Sequence, residues 1–153
     1  MSHRLDHNEA SPAGMKALGQ VYHHVLQSGL DPILLELVYL RVSQINGCAF
    51  CIDMHWADLL KQGVEPRHVN AVAGWREAAR FFTEAERAAL NWAEAVNAVP
   101  QRTPSDADFE AVKRHLSDEQ IADLTFQVGA IRSWNMLNAS FHTPVPETPY
   151  VPG

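Results

Sequence analysis

The stretch Glu36-Leu-Val-Tyr-Leu-Arg-Val-Ser-Gln-Ile-Asn-Gly-Cys48-Ala-Phe-Cys51-Ile-Asp-Met-His55 decides how the chain is read. Its first half belongs to an apolar segment, 33–45, that Asp31 caps and Pro32 opens as the first helical residue. Asn46-Gly47 breaks that segment, and a second helix is predicted from about Cys48 to Gln62, stopped by Gly63. Leu34, Leu37, Val38 and Arg41 share one face of the first helix, whereas Glu36 lies off it among apolar neighbours.

The same three- and four-residue spacing recurs on both sides of this core. Met15, Leu18, Val21, Tyr22, Val25 and Leu26 predict a helix over about 12–28, with Gly29 as its stop. A short helix is expected over about 66–72, with Gly74 making its continuation toward Trp75 uncertain. Thr83-Glu-Ala-Glu86 reads as a capping box for a helix to about Asn97, ahead of Pro100. A helix over about 105–115 buries Phe109, Val112 and Leu116, and Ser117-Asp-Glu-Gln120 is a second capping box opening a long helix to about Phe141. No segment alternates like a strand, so the fold class is all-α, a bundle of about six to seven helices. The proline-rich tail, 142–153, is expected to be extended or wrapped over a neighbouring surface.

The chain has 153 residues, enough for one domain spanning 1–153 with its own core and no need of a disulfide or metal to stabilise it. Hydrophobic residues make up 46% and charged ones 20%, which argues against disorder along most of the length. A net charge of -6 with scattered basic residues excludes the concentrated basic face that nucleic-acid binding uses. No apolar run reaches the roughly 18 residues of a membrane span. The polar start, Met1 to Glu9, lacks the apolar region and cleavage site of an export signal, so a cytoplasmic location is expected. In that reducing compartment, the two cysteines point to redox or metal chemistry before a structural disulfide.

Cys48, Cys51 and His55 fall within a helical stripe roughly 60° wide. Cys48 lies at or just before the first turn, where free backbone N–H groups and the helix dipole favour a thiolate. His55, four residues past Cys51, can reach that sulfur and move its proton. Such a pair can reduce a peroxide, one thiol becoming a sulfenic acid that the other captures as a disulfide. Spacing leaves open which thiol attacks, since Cys48 has the better dipole position and Cys51 the better base.

The run from Glu36 to His55, a Glu followed after twelve residues by CxxC and then by a His four past the second Cys, resembles the core of the AhpD-like branch of the carboxymuconolactone decarboxylase superfamily. The resemblance implies an AhpD-like helical fold and an alkylhydroperoxidase. Cys51 would then be the peroxidatic thiol, Cys48 the resolving one, and His55 with Glu36 a proton relay. It also implies a hydroperoxide substrate, a thiol or lipoyl-type protein reductant, no cofactor, and a homo-oligomer, either a trimer or a hexamer. In the family's best-known enzymes a further His precedes the second Cys, where this chain has Phe50. Ser133-Trp134-Asn135-Met136 resembles a Trp-Asn-Arg stretch of related proteins, with Met136 in place of Arg, and makes Asn135 a candidate for the pocket wall.

Three rivals stand beside this reading. Cys48, Cys51 and His55 could hold zinc if His23, His24 or His142 supplied a fourth ligand. The CxxC could belong to a redox-sensing or scaffold module, or the chain could carry decarboxylase chemistry, as in the superfamily's other branch. Glu36 could also be a structural partner of Arg41. His68 and His115 read as exposed helix residues, and Trp56, Trp75, Trp92 and Trp134 as core or interface aromatics.

Overall fold

A computed structural model of the chain describes residues 1–148, so the last five residues of the predicted tail lie outside the described residues. Eight α-helices are present among the described residues: α1 (His7–Ala10), α2 (Pro12–Leu26), α3 (Pro32–Asn46), α4 (Ala49–Lys61), α5 (Pro66–Asn70), α6 (Glu84–Asn97), α7 (Asp106–Lys113) and α8 (Asp118–Phe141). Two short 3-10 turns, Ala71–Gly74 and Ala79–Phe81, link α5 to α6. All seven helices expected from periodicity form. The eighth, α1, is a single polar turn with no apolar repeat, held by Asp6, whose carboxylate accepts the N–H groups of Asn8 and Glu9.

α3 is the centre of the bundle and packs against α4, α6 and α8. Leu34, Leu35, Leu37, Val38, Tyr39, Leu40 and Val42 are all buried, so the helix is apolar nearly all round, as a fully enclosed helix must be. Its start is fixed by the Asp31 carboxylate, which accepts from the N–H groups of Ile33 and Leu34 at 2.8 and 3.0 Å. Its end is fixed by Gly47 at φ 70°, a left-handed conformation that costs a residue with a Cβ but not glycine. The next residue, Cys48, is the N-cap of α4, and the turn folds α4 back along α3. Thr83 with Glu86, Ser105 with Asp108, and Ser117 with Gln120 form capping boxes at the starts of α6, α7 and α8.

Polar ties lock the bundle around the CxxC turn. Asn46 Nδ2 donates to Asn97 Oδ1 and Asn135 Oδ1 at 3.1 and 3.0 Å, and Asn135 Nδ2 donates to Ser43 Oγ at 3.1 Å. The ends of α3 and α6 and the middle of α8 are thereby joined just before Cys48. Arg41 pairs with Glu94 at 2.7 Å and not with Glu36. Burial alone would raise the Glu94 pKa, but hydrogen bonds from Trp75, Arg41 and Arg76 outweigh it and hold this carboxyl below its ordinary value. His68 is not an exposed helix residue as expected: its ring packs against Phe81 and Phe82, because the 3-10 turn of Ala79–Phe81 folds back over α5. Trp75 is buried, Trp92 donates from its indole to Thr125 Oγ1 at 3.0 Å, and Trp56 is exposed. Among the described residues, no helix is long and apolar enough to cross a membrane.

Candidate active site

The CxxC sits at the start of α4. Cys48 Sγ accepts the backbone N–H of Cys51 at 3.3 Å, so the first sulfur occupies the capping position and faces the positive end of the helix. In this structure the two sulfurs form a disulfide, and both residues are buried. Bonded to one another, they cannot serve as thiolate ligands to zinc in this state. Of the histidines considered as a fourth ligand, His24 pairs with Asp123 at 2.8 Å and His142 Nδ1 with the carbonyl of Ser2 at 3.2 Å.

The fold of α4 along α3 brings His55 to Glu36. His55 Nδ1 lies 2.8 Å from Glu36 Oε2, and both side chains are more than nine-tenths buried. The Tyr39 ring, one turn past Glu36 on α3, stacks on the imidazole with centroids 4.9 Å apart and planes 10° from parallel. His55 Nε2 is buried without a hydrogen-bond partner in the protein. No hydrogen bond joins His55 to Cys51 in the disulfide form. Cys51 Sγ instead receives the side-chain N–H of Asn138, at 3.5 Å.

Cys51 and His55 open onto a chamber of about 330 Å3, at the small end of ligand pockets. Its walls are largely aromatic and apolar, with Tyr22, Phe50, Met54 and Trp134 prominent. Cys48 is not part of the wall. Asp58 is, one turn beyond His55; burial first, and then the negative charge of Glu36, push its pKa above the ordinary carboxylate value. Glu36, His55 and Asp58 offer ligand atoms within 4.8 Å of one another and form the candidate metal-binding cluster among the described residues. Its Glu36–His55 bond already satisfies one donor and one acceptor.

Cys48, Cys51 and His55 are thus brought together, as their spacing predicts, and Glu36 joins them, as the family resemblance implied. Asn135 is not in the chamber: its amide serves the network with Asn46 and Ser43, and Asn138, three residues on, holds the place at Cys51. Sequence reasoning missed Asn138, Tyr39, Asp58 and His7. Asn138 and Tyr39 each lie one helical turn from a residue already singled out, a signal that was there to use. His7 lies in a polar stretch with no periodicity and gave none.

The carboxymuconolactone decarboxylase family model matches residues 12–95, more than half of the chain. The uncharacterized protein YdfG of Bacillus subtilis (strain 168) is 36% identical over 138 residues, covering 90% of this chain and 93% of the relative. A crystal structure from Agrobacterium tumefaciens, of a protein of unknown function described as a candidate AhpD-type antioxidant defence protein, superposes with a TM-score of 0.91 at 37% identity. That match covers 96% of this chain and all of the other. The alkyl hydroperoxide reductase AhpD of Caulobacter vibrioides is 39% identical over 49 residues, 32% of this chain but only 27% of that enzyme. The chain belongs to the carboxymuconolactone decarboxylase family, in its AhpD-like branch.

Proposed function

We propose that this chain is a thiol-dependent peroxidase that reduces organic hydroperoxides at Cys51, working in the cytoplasm as a homo-oligomer, a trimer or a hexamer. The observation that carries the reading is that Cys51, and not Cys48, opens onto the apolar chamber beside a histidine held by a buried carboxylate. The AhpD of Caulobacter vibrioides supports the same chemistry by its name and by its likeness over 49 residues. Exposed Phe126 and Met136 on α8 offer apolar contact area for assembly.

In the reduced protein, His55 takes the Cys51 proton on Nε2, with Glu36 orienting the ring and balancing the imidazolium charge. The thiolate attacks the terminal oxygen of the hydroperoxide; an S–O bond forms and the O–O bond breaks. The departing alkoxide takes the proton back from His55 and leaves as the alcohol, with Cys51 now a sulfenic acid. The Asn138 N–H stabilises negative charge on the Cys51 sulfur. Cys48, whose thiolate the α4 start favours, then attacks the Cys51 sulfur; the S–S bond forms, and the S–O bond breaks to release hydroxide, which is protonated to water. A dithiol reductant of lipoyl type restores both thiols by exchange and is itself oxidised to a disulfide.

The test is mass spectrometry of two variants after one equivalent of cumene hydroperoxide. Cys48→Ser should stop with a single oxygen on Cys51, and Cys51→Ser should consume no peroxide. Full turnover in both variants would overturn the proposal.

A further inference from the structure

Three chamber residues besides His55 carry buried polar atoms that nothing in the protein satisfies: Nδ1 of His7, the hydroxyl of Tyr39 and Oγ1 of Thr143. Such atoms are rare in a folded chain, because each gives up its hydrogen bond to water and gains none in return. The residues that carry them line one cavity.

His7 and Thr143 are placed at the far end of that cavity by the two chain ends. The His7 ring stacks on Phe141, with centroids 6.0 Å apart, and is only 6% exposed. The backbone N–H of Arg4 donates to the carbonyl of Phe141 at 2.9 Å, and the Arg4 guanidinium to that of Ser140 at 3.1 Å. The Thr143 N–H donates to the carbonyl of Asn138 at 3.0 Å. Phe141 is three residues beyond Asn138, whose amide touches the Cys51 sulfur, so along α8 the His7 end of the chamber is offset from the Cys51 end by about 4.5 Å of helical rise.

The chemistry of the far end is specific. Among the described residues no Lys or Arg lines the chamber at either end, and its one lining carboxyl, Asp58, stands beside His55. A carboxylate tail would enter without a partner. A hydroxyl both donates and accepts, and so suits His7 Nδ1 in either tautomer as well as the Thr143 hydroxyl. The aromatic walls of Tyr22, Phe50 and Trp134 suit a flat ring between the two ends.

We propose that His7, from the N-terminal turn, is a specificity residue of this chamber, and that the ligand it selects is an uncharged aromatic hydroperoxide with a hydroxyl at the end remote from the peroxide. The hydroperoxide part rests on Cys51 being the reacting centre; the recognition of the remote hydroxyl does not.

The test therefore measures binding to the oxidised protein, without turnover. Calorimetric titration with cumyl alcohol and with para-hydroxycumyl alcohol compares two ligands that differ only in the remote hydroxyl. The wild type should bind the hydroxylated ligand about tenfold tighter, the scale of one hydrogen bond to an otherwise unpaired buried atom. His7→Phe, which keeps an aromatic ring against Phe141, should abolish the difference between the two ligands. Equal affinities on the wild type overturn the proposal whether or not the variant folds, as does a preference that survives in His7→Phe. A protein without peroxidase activity that shows the preference would contradict the proposed function and leave this site standing.

Discussion

His55 Nδ1 lies 2.8 Å from Glu36 Oε2, and both side chains are more than nine-tenths buried. In the neutral imidazole whose Nδ1 donates to the carboxylate, the lone pair lies on Nε2, which has no protein partner. Tyr39 stacked on the ring and the Asn138 amide on Cys51 complete a cluster in which α4 supplies the sulfur and the imidazole, α3 the carboxylate and the phenol, and α8 the amide.

Glu36→Gln removes the charge that supports an imidazolium while nearly preserving shape. Peroxide reduction should fall by about 10²-fold, the usual contribution of a positioned acid–base group, with little change in KM. Steady-state kinetics across pH check this, and a rate within twofold of the wild type would assign Glu36 a purely structural role.

Asn138→Ala takes away the one hydrogen bond donated by a side chain to the Cys51 sulfur. A hydrogen bond to a charged group is worth about 1.5–3 kcal/mol, so the Cys51 thiol pKa should rise by about one to two units. Titration of the thiolate ultraviolet absorbance in a Cys48→Ser background reads it directly.

Asn135→Ala should behave in the opposite way. It takes the donor from Ser43 Oγ and one of two acceptors from Asn46 Nδ2 and leaves a cavity beside α8, so stability should fall by about 2–3 kcal/mol. The peroxide rate of the folded fraction should stay unchanged, because Asn135 does not reach the chamber. Parallel melting curves and single-turnover rates separate the two asparagines.

Asp58 has a folded-state pKa raised above its unfolded value by burial and by Glu36. A carboxyl of this kind favours folding while protonated, and that contribution is lost as pH rises through the folded pKa. Asp58→Asn should therefore raise the melting temperature at pH 7 and lose this advantage at a pH below the ordinary carboxylate value of 3.8. An equal effect at both pH values would contradict the shift.

Phe50 stands where the family's best-known enzymes carry a further histidine. It borders the chamber, so Phe50→His should add a second proton carrier and raise the rate of peroxide reduction, by up to roughly 10²-fold. Stopped-flow oxidation of the reduced protein measures it.

Local rules carried the helices because caps, proline starts and glycine stops act within a few residues. Asp31, Gly47, Thr83 and Ser117 do in the structure what their spacing predicts. Cys48, Cys51 and His55 were legible for a similar reason, since they share one helix, whereas Glu36 on the preceding helix entered only through the family resemblance. The remainder depends on tertiary placement. Asn135 and Asn138 are both buried polar residues one turn apart on α8, and only the packing of α3 and α4 decides which of them meets the sulfur. His7 acquires its place from an aromatic stack and backbone bonds to residues more than 130 positions away, which no local pattern announces.

The most direct test of the central claim is a single-turnover reaction of the fully reduced, zinc-free protein with cumene hydroperoxide, counting free thiols before and after. The account predicts one equivalent of peroxide consumed per chain, one of cumyl alcohol formed, and the loss of both thiols to a Cys48–Cys51 disulfide. Survival of both thiols with the peroxide unconsumed would contradict it.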